Sequence, residues 1–283
     1  MKIAVLSGKG GAGKTLVAVN LSIAAKKSVY IDCDVEEPNG RLFLKPENVN
    51  TEEVYSLLPE FDGEKCSGCR KCLDFCRFNA LSFIKEKPKV FSEVCHSCGG
   101  CELVCPENAV TMEKRPVGQI EYGNHNDINV VTGILNMGEA SGIPVIKSAM
   151  NKGFSMNDNI IIDCPPGSAC PVMESVTAAD CCIIVVEPTA FGFHNFKMVY
   201  ELANILKKPI GIVINKEDTP YEPLDNFCKQ NDVKLLARIP FDEKLAKISS
   251  VGDIISEIDS EYAGLFKDIL TKAGELIWKN YLY

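Results

Sequence analysis

The stretch GKGGAGKT at positions 8–15 decides the fold of this chain, because it fits the phosphate-loop pattern G-x-x-x-x-G-K-[ST]. The apolar segment MKIAVLS (1–7) before it is a predicted strand, and residues 15–26 after it form a predicted helix. Glycines let the backbone N–H groups turn toward phosphate oxygens at the N-terminus of that helix. The stretch therefore predicts a nucleotide phosphate site made of Gly8, Lys9, Gly10, Gly11, Ala12, Gly13, Lys14 and Thr15.

Strands and helices alternate through most of the chain. Near-continuous apolar segments, separated by helical segments such as residues 194–207, are typical of a parallel sheet that helices cover on both faces. We therefore predict an α/β fold, doubly wound around a mostly parallel sheet. The further predicted strands are SVYIDCD (28–34), VGQIEY (117–122), INVVTG (128–133), NIIIDC (159–164), CCIIVVE (181–187), PIGIVIN (209–215) and KLLARIP (234–240).

Composition and charge exclude several classes of function. The chain has 283 residues, of which 46% are hydrophobic and 24% charged, as in ordinary soluble globular proteins. Its net charge of -8 argues against general binding to nucleic acid or to anionic membranes. No targeting segment is apparent, so a cytoplasmic protein is expected. The C-terminal segment, residues 261–283, has apolar residues at helical spacing but only three lysines, and we expect it to pack on its own domain.

Two cysteine runs interrupt the α/β pattern. Eight of the fourteen cysteines fall in them, and CSGCRKCLDFCRFNALSF (66–83) aligns with CHSCGGCELVCPENAVTM (95–112) as an internal repeat. A unit of this size buries too little apolar surface to fold alone, so we expect it to need bound metal. The prediction is a P-loop domain in two parts, residues 1–58 and 117–283, with this cysteine-rich insert, residues 59–116, between them.

Both runs have the spacing C-x₂-C-x₂-C-x₃-C, which resembles that of bacterial two-cluster ferredoxins. The resemblance implies an α+β insert that holds two [4Fe–4S] clusters, the fourth cysteine of each run serving the other cluster. Arg77 stands where proline usually follows the run, which affects the local backbone rather than the number of ligands. Zinc is the alternative, although zinc sites use paired C-x₂-C knuckles rather than triple runs. The implied ligands are Cys66, Cys69, Cys72 and Cys105 for cluster 1, and Cys95, Cys98, Cys101 and Cys76 for cluster 2.

The extra lysine inside the phosphate loop, Lys9, resembles the deviant loop of the MinD/Mrp/ParA-type ATPases, to which the nitrogenase iron protein also belongs. In that family the early lysine crosses a dimer interface to the partner's nucleotide. The resemblance therefore implies an ATPase that forms a homodimer across the nucleotide site. A solvated surface lysine is the alternative for Lys9.

The same resemblance implies a role for further residues. Catalysis would involve Lys9, Lys14 and Asp34, of which Asp34 positions or deprotonates the attacking water. The Mg²⁺ ion would be held by Thr15, by Asp32 nearby and, through water, by Asp163. The Gly167 N–H would face the γ-phosphate, and Asn215 would read the base.

The base itself is open to a second interpretation. Residues 215–218 spell N-K-x-D, the guanine-reading motif of GTPases, in which Asp218 would accept hydrogen bonds from guanine. The double-lysine loop favours ATP, and GTP stays as the alternative.

Two functions of different classes fit these components. One is an ATP-gated electron carrier that passes electrons through its clusters to an unknown redox partner. The other is an assembly protein that carries iron–sulfur clusters or metal cofactors to target proteins. Mrp-type carriers use a C-x-x-C late in the ATPase domain, and no C-x-x-C occurs here after Cys101, which favours electron transfer.

Six cysteines lie outside the two runs. Cys33, Cys181 and Cys182 fall in predicted strands and are expected to be small buried residues, whereas Cys228 lies in a helical segment. Cys164 and Cys170 flank the segment PPG (165–167). For these two cysteines the sequence favours ordinary packing over a role in sensing nucleotide.

Overall fold

The computed structural model describes residues 1–85, 87–156 and 159–280. In these residues nine of the eleven strands form one sheet, in the order β11-β10-β9-β1-β8-β2-β7-β6-β3. The strands are β1 (Lys2–Ser7), β2 (Ser28–Asp32), β3 (Glu47–Phe61), β4 (Leu81–Ile84), β5 (Lys87–Val90), β6 (Val110–His125), β7 (Ile128–Leu135), β8 (Asn159–Asp163), β9 (Cys181–Val186), β10 (Ile210–Glu217) and β11 (Lys234–Pro240).

Helices cover both faces of this sheet. They are α1 (Lys14–Ala24), α2 (Gly40–Leu44), α3 (Lys71–Phe75), α4 (Gly100–Leu103), α5 (Ile143–Phe154), α6 (Cys170–Thr177), α7 (Ala190–Ile205), α8 (Glu222–Gln230), α9 (Glu243–Ser250), α10 (Ile255–Ile258) and α11 (Ser260–Asn280). Apolar side chains of α5 to α8 pack on one face, and those of α1 and α9 to α11 pack on the other. The predicted doubly wound α/β fold is confirmed.

The seven strands from β11 to β7 pair in parallel, and β1, β2 and β9 are buried almost throughout. Burial on both faces explains why these segments read as continuous apolar runs. The strands β6 and β3 extend the sheet in the antiparallel sense, β6 on β7 and β3 on β6. The sheet is therefore mostly parallel, as predicted, with an antiparallel edge.

The two antiparallel strands β3 and β6 continue beyond the sheet as a β-ribbon, which carries the cysteine-rich insert at its far end. Their pairing runs from Glu47 opposite Asn124 to Phe61 opposite Val110. The predicted boundaries at residues 59 and 116 thus lie within two continuous strands. Sequence patterns predicted only residues 117–122 of β6 and missed β3, because most β3 side chains are exposed and show no apolar alternation.

Beyond the ribbon, the insert contains little regular structure. It has two short helices, α3 and α4, and a two-stranded sheet of β4 and β5. Its buried apolar side chains are few and small: Cys72, Ala80, Ala109 and Val110.

The C-terminal helix α11 packs on its own domain, as expected. Phe266, Ile269 and Ala273 are fully buried in the core beside α1. The last three residues of the predicted helical segment, 281–283, lie outside the described residues. Within the part of the chain that the structure describes, no helix has both the length and the apolar character needed to cross a membrane.

Candidate nucleotide site and cysteine cavities

The phosphate loop connects β1 to α1 and depends on glycine at its end. Gly11 and Gly13 have φ angles of 78° and 95°, which side chains rarely adopt. A Cβ at Gly13 would also lie 2.1 Å from the side-chain nitrogen of Asn215. Glycine at these positions therefore lets the loop curl and lets Asn215 of strand β10 pack directly behind it.

A cavity of about 1000 Å³ opens above the loop. It is lined by the phosphate loop, by residues 34–37 after β2, by α2, by the start of α6 and by residues 249–252 at the end of α9. A cavity of this volume is at the upper end of the range for small-molecule and cofactor sites. Its position at the carboxyl ends of β1, β2 and β8 is where open α/β sheets bind ligands.

Lys14 lies at the floor of the cavity between two carboxylates. Its Nζ donates to Asp163 Oδ1 at 2.7 Å and lies 3.4 Å from Asp34 Oδ2. Only 6% of the Lys14 side chain is exposed. Burial alone would lower its pKa, but Asp163 and Asp34 together raise the pKa of Lys14 well above its usual value. The lysine is therefore charged and holds two of the predicted site residues together.

Asp32 and Asp163 end neighbouring strands in register, and both side chains are fully buried. Asp32 accepts from the backbone N–H of Gly40 at 2.9 Å. Burial raises the pKa of Asp32, and the charge of Asp163 raises it further, while Lys14 opposes both. The two carboxyl groups thus lie side by side beneath the cavity, where a divalent cation would favour their ionised forms.

Tyr30 joins this carboxylate pair, and sequence analysis missed it. Its hydroxyl donates to Asp163 Oδ2 at 2.8 Å and lies 3.5 Å from Asp32 Oδ2. A side chain at Gly40 would collide with the Tyr30 ring, so glycine at position 40 lets α2 close over the tyrosine. The sequence does contain a signal for the role of Tyr30: residues two apart on a strand share a face, and Tyr30 precedes Asp32 by two.

Lys9 pairs with Glu187 of its own chain, at the end of β9. The other Glu187 oxygen accepts from Lys216 Nζ at 2.7 Å, and Lys216 also donates to the Gly11 carbonyl at 2.6 Å. Burial alone would raise the pKa of Glu187, but Lys216 and Lys9 lower it. In this conformation Lys9 is therefore held in its own subunit, and a reach across a dimer requires breaking this pair.

Two other predicted site residues are engaged with the phosphate loop or its strand. The Asn215 side chain is buried and donates to the Ala12 carbonyl at 2.8 Å, so its contact with a base stays a prediction. The Gly167 N–H donates to the Ser7 carbonyl at 2.9 Å, so it must be released before it can face a phosphate. Thr15 lines the cavity, whereas Asp218 is exposed.

The insert contains two separate cavities, and each one brings together one of the predicted ligand sets. The first is lined by Cys66, Cys69, Cys72 and Cys105. The second is lined by Cys76, Cys95, Cys98 and Cys101. Each set thus draws three thiols from one run and one from the other. Among the described residues, no three His, Cys, Asp or Glu side chains are placed to hold a single metal ion.

The surroundings of these cavities suit a group that is ligated by sulfur. Phe61 and Phe83 line the first cavity, and Phe75 and Phe78 line the second. The ring of His96 stacks on Phe78 with centroids 3.8 Å apart, which accounts for a histidine to which the sequence assigned no role. Four thiols with apolar walls are the donor set that iron–sulfur clusters use.

The remaining cysteines divide into two groups. Cys33, Cys164, Cys181 and Cys182 are fully buried in or directly after the strands of the sheet, which confirms the packing interpretation for these four. Cys228, predicted only to lie in a helical segment, is nearly buried in α8. Cys170 is exposed at the start of α6, so the packing interpretation is wrong for this residue. Its position at the first turn of a helix beside the cavity explains the exposure.

The fold and the lysine-carboxylate site define a P-loop nucleotide-binding protein of the α/β class. The model of the CobQ/CobB/MinD/ParA nucleotide binding domain matches residues 3–255, and the chain belongs to this family. The solved structure of the septum site-determining protein MinD from Pyrococcus horikoshii, complexed with Mg-ADP, is similar in fold. Its TM-score is 0.58 at 20% identity, covering 95% of this chain and 94% of that one.

Relatives by sequence extend over nearly the whole chain. An uncharacterized protein of Methanocaldococcus jannaschii is 31% identical over 282 residues, which cover 98% of each chain. An iron-sulfur cluster carrier protein of the same organism is 25% identical over 296 residues, covering 98% of this chain and 84% of the relative. The resemblance to MinD- and Mrp-type proteins is thus confirmed across the P-loop domain.

Proposed function

We propose that this chain is an ATP-hydrolysing iron–sulfur protein, in which the nucleotide controls electron transfer to a protein partner through two [4Fe–4S] clusters. The single observation that carries the proposal is that one continuous β-ribbon connects two kinds of site. The β-ribbon begins in the nucleotide-binding sheet and ends in an insert whose cysteines line two cavities, four thiols to each.

The insert would act as a ferredoxin-like domain. Cluster 1 would be held by Cys66, Cys69, Cys72 and Cys105, and cluster 2 by Cys95, Cys98, Cys101 and Cys76. Bound there, the clusters supply one-electron redox chemistry. The chain's own residues hold them in apolar surroundings and set their distance from a partner.

At the nucleotide site, Mg-ATP would occupy the large cavity above the phosphate loop. The buried ammonium of Lys14 would turn from Asp163 and Asp34 to the β- and γ-phosphates, since phosphate oxygens are negatively charged like the carboxylate oxygens that they replace. That movement frees Asp163 to hold the hydrated Mg²⁺ beside Thr15, and Asp34 to orient the attacking water. The pair with Glu187 would open so that Lys9 reaches the partner subunit's nucleotide in a homodimer.

Competition between ATP and GTP tests the choice of nucleotide. We expect ATP to bind more tightly, because the double-lysine loop is of the ATPase type and Asp218 lies exposed outside the cavity. A tenfold preference for GTP, about 1.4 kcal/mol, would overturn the assignment.

The gating itself is tested by anaerobic redox titration and by stopped-flow oxidation, each with and without a non-hydrolysable ATP analogue. We expect the analogue to change either the midpoint potentials or the rate of oxidation by an added acceptor. If neither responds, the insert is an independent electron carrier and the gating proposal fails.

The second candidate is a carrier that delivers clusters to other proteins. It is favoured by the similarity to the iron-sulfur cluster carrier protein of M. jannaschii. The two candidates differ in where the iron goes. Incubation of the loaded protein with an apo-ferredoxin, followed by separation and iron analysis, distinguishes them. Retention of both clusters supports electron transfer, and ATP-dependent loss of iron to the acceptor supports delivery.

A further inference from the structure

The two cysteine cavities lie at different distances from the nucleotide-binding sheet. The second cavity includes Pro59 and Met112, which face each other across the ribbon. The first includes Phe61 and Val110, a facing pair two positions farther from the sheet. At about 3.3 Å per residue, that separation is roughly 7 Å along the ribbon. The second cavity is therefore the one nearer to the nucleotide-binding sheet.

Arg115 lies on the ribbon beside this nearer cavity. It faces Ser56 on β3, and the Ser56 hydroxyl contacts the hydroxyl of Ser97, which lies between Cys95 and Cys98. The hydrogen bond to Glu139 raises the pKa of Arg115, and the charge of Glu139 adds to this. Through Ser56 and Ser97, the position of Arg115 on the ribbon lies beside the cysteine run that supplies three predicted ligands of cluster 2.

The other side of the Arg115 guanidinium is fixed to the P-loop domain. Both terminal nitrogens donate to Glu139, with Nη1 to Oε1 at 2.6 Å. Among the described residues, Arg115 Nε is buried and has no hydrogen-bond partner. The Nε–H donor therefore remains for a further acceptor, in addition to the ion pair with Glu139.

The loop that contains Glu139 also borders the nucleotide cavity. It lies in the loop between β7 and α5, and Gly142 in that loop lines the cavity. A Cβ at Gly142 would come within 2.6 Å of Val35, the residue after Asp34. The Val35 carbonyl accepts from the Leu135 N–H at 2.9 Å. A movement of the segment after β2 would therefore move the loop that holds Glu139.

We propose that Arg115 couples the two sites, by setting the potential of the nearer cluster and passing changes at the nucleotide to it through Glu139. This inference rests on the proposed function. A fixed positive charge stabilises the reduced cluster, which carries one more negative charge, and raises its midpoint potential. Glu139 offsets part of that charge. When nucleotide binding shifts the Glu139 loop, the field at the cluster changes, and redox state in turn changes nucleotide affinity by the same factor.

The test is a potentiometric titration of both clusters in anaerobically reconstituted full-length protein, followed by electron paramagnetic resonance. An external one-electron reductant supplies the electron that each cluster accepts. For Arg115→Met we expect one cluster to become harder to reduce, with its oxidised-to-reduced ratio changed about tenfold at fixed potential, or 59 mV. Glu139→Gln should shift the same cluster in the opposite direction. Arg115→Lys, which keeps the charge, should restore most of the wild-type potential.

A matched control is Arg238→Gln. Arg238 also pairs with a glutamate, and its side chain is 36% exposed against 34% for Arg115, but it lies on β11 at the far edge of the sheet. It should leave both potentials unchanged. Adding a non-hydrolysable ATP analogue should shift the nearer cluster in the wild type and not in Glu139→Gln.

Three results would overturn the inference. They are unchanged potentials in Arg115→Met, an equal shift of both clusters, and shifts of the same sign in Arg115→Met and Glu139→Gln. If the wild-type protein binds no pair of clusters, the proposed function fails, and this inference with it. If the pair is present and only the Arg115 and Glu139 variants are silent, the proposed function stands without it.

Discussion

Around the phosphate loop, charged side chains lie inside a packed core, whereas in the cysteine-rich insert the chemically active side chains lie near the surface. Lys14, Asp32 and Asp163 are held between a nine-stranded sheet and its helices. The insert has helices of five and four residues and only a handful of buried apolar side chains. From this comparison we expect the nucleotide site to form by folding alone, and the cysteine cavities to depend on what they bind.

The largest expected effect comes from removing iron. We expect the described residues between 62 and 109 to exchange their amide hydrogens at least about a hundredfold faster in the iron-free protein, because bound metal supplies folding free energy. Strands β1 and β8 should keep their protection, since their burial does not involve the insert. Hydrogen-exchange mass spectrometry of the loaded and the iron-free protein measures both regions together.

Cysteine variants give the control for this experiment. Cys72→Ser should lower the iron content from about eight atoms per chain to about four, because each cluster holds four irons. Cys228→Ala, at a buried cysteine in α8, should change neither iron content nor exchange in the insert. An insert that is equally protected without iron would show that the contrast between the two regions is wrong.

The second effect concerns the buried lysine. Lys14→Ala should lower the free energy of unfolding by about 3–5 kcal/mol, because it leaves the buried Asp163 and the half-buried Asp34 without their cation. Nucleotide binding should be lost as well. Chemical denaturation and binding titration measure the two effects, and Mg²⁺ should restore part of the stability by replacing the missing charge.

Lys147→Ala serves as the comparison, since Lys147 pairs with Glu174 on the surface at 3.6 Å. That pair is screened by solvent, and we expect little change. Equal effects of the two substitutions would mean that the buried charge cluster does not organise the site.

A third test concerns Lys9, the half-buried lysine of the same loop. Lys9→Ala should keep nucleotide binding within about threefold and lose most ATP hydrolysis, since in the proposed homodimer the lysine acts on transition-state charge in the partner's site. Steady-state phosphate release and binding titration separate the two effects.

Mixing subunits decides between action in cis and in trans. Neither Lys9→Ala nor Asp34→Asn should hydrolyse ATP alone. A mixed dimer should recover one working site if Lys9 acts across the interface. If no activity returns in the mixture, Lys9 acts in its own subunit, as its pair with Glu187 would allow.

The smallest effect is expected for Tyr30→Phe. This change removes one hydrogen bond to the buried Asp163 carboxylate, and the free energy of unfolding should fall by about 1.5–3 kcal/mol. Tyr262→Phe removes a similar bond to Asp242 on the surface and should cost less. Thermal or chemical unfolding of the nucleotide-free protein checks the order, and the reverse order would contradict the role of burial.

Local patterns and the family resemblance together predicted the residues of the candidate nucleotide site. The phosphate loop and the buried strands carry patterns that a single chain reveals, whereas the roles of the aspartates that end β2 and β8 came from the resemblance. The grouping of eight cysteines into two runs was equally visible in the sequence. The resemblance to ferredoxins predicted that the fourth cysteine of each run serves the other cluster. The two cavities bring together these same sets of four.

Tertiary structure decided the contacts between these parts. Strand β3 has no apolar alternation, since it forms the sheet edge and the ribbon, and only its pairing with β6 identifies it. The pair of Arg115 with Glu139 and that of Lys9 with Glu187 join residues far apart in sequence, and surface charges of this kind carry no periodic signal. Local sequence therefore determined which groups this protein uses, and the packing of distant strands decided which of them meet.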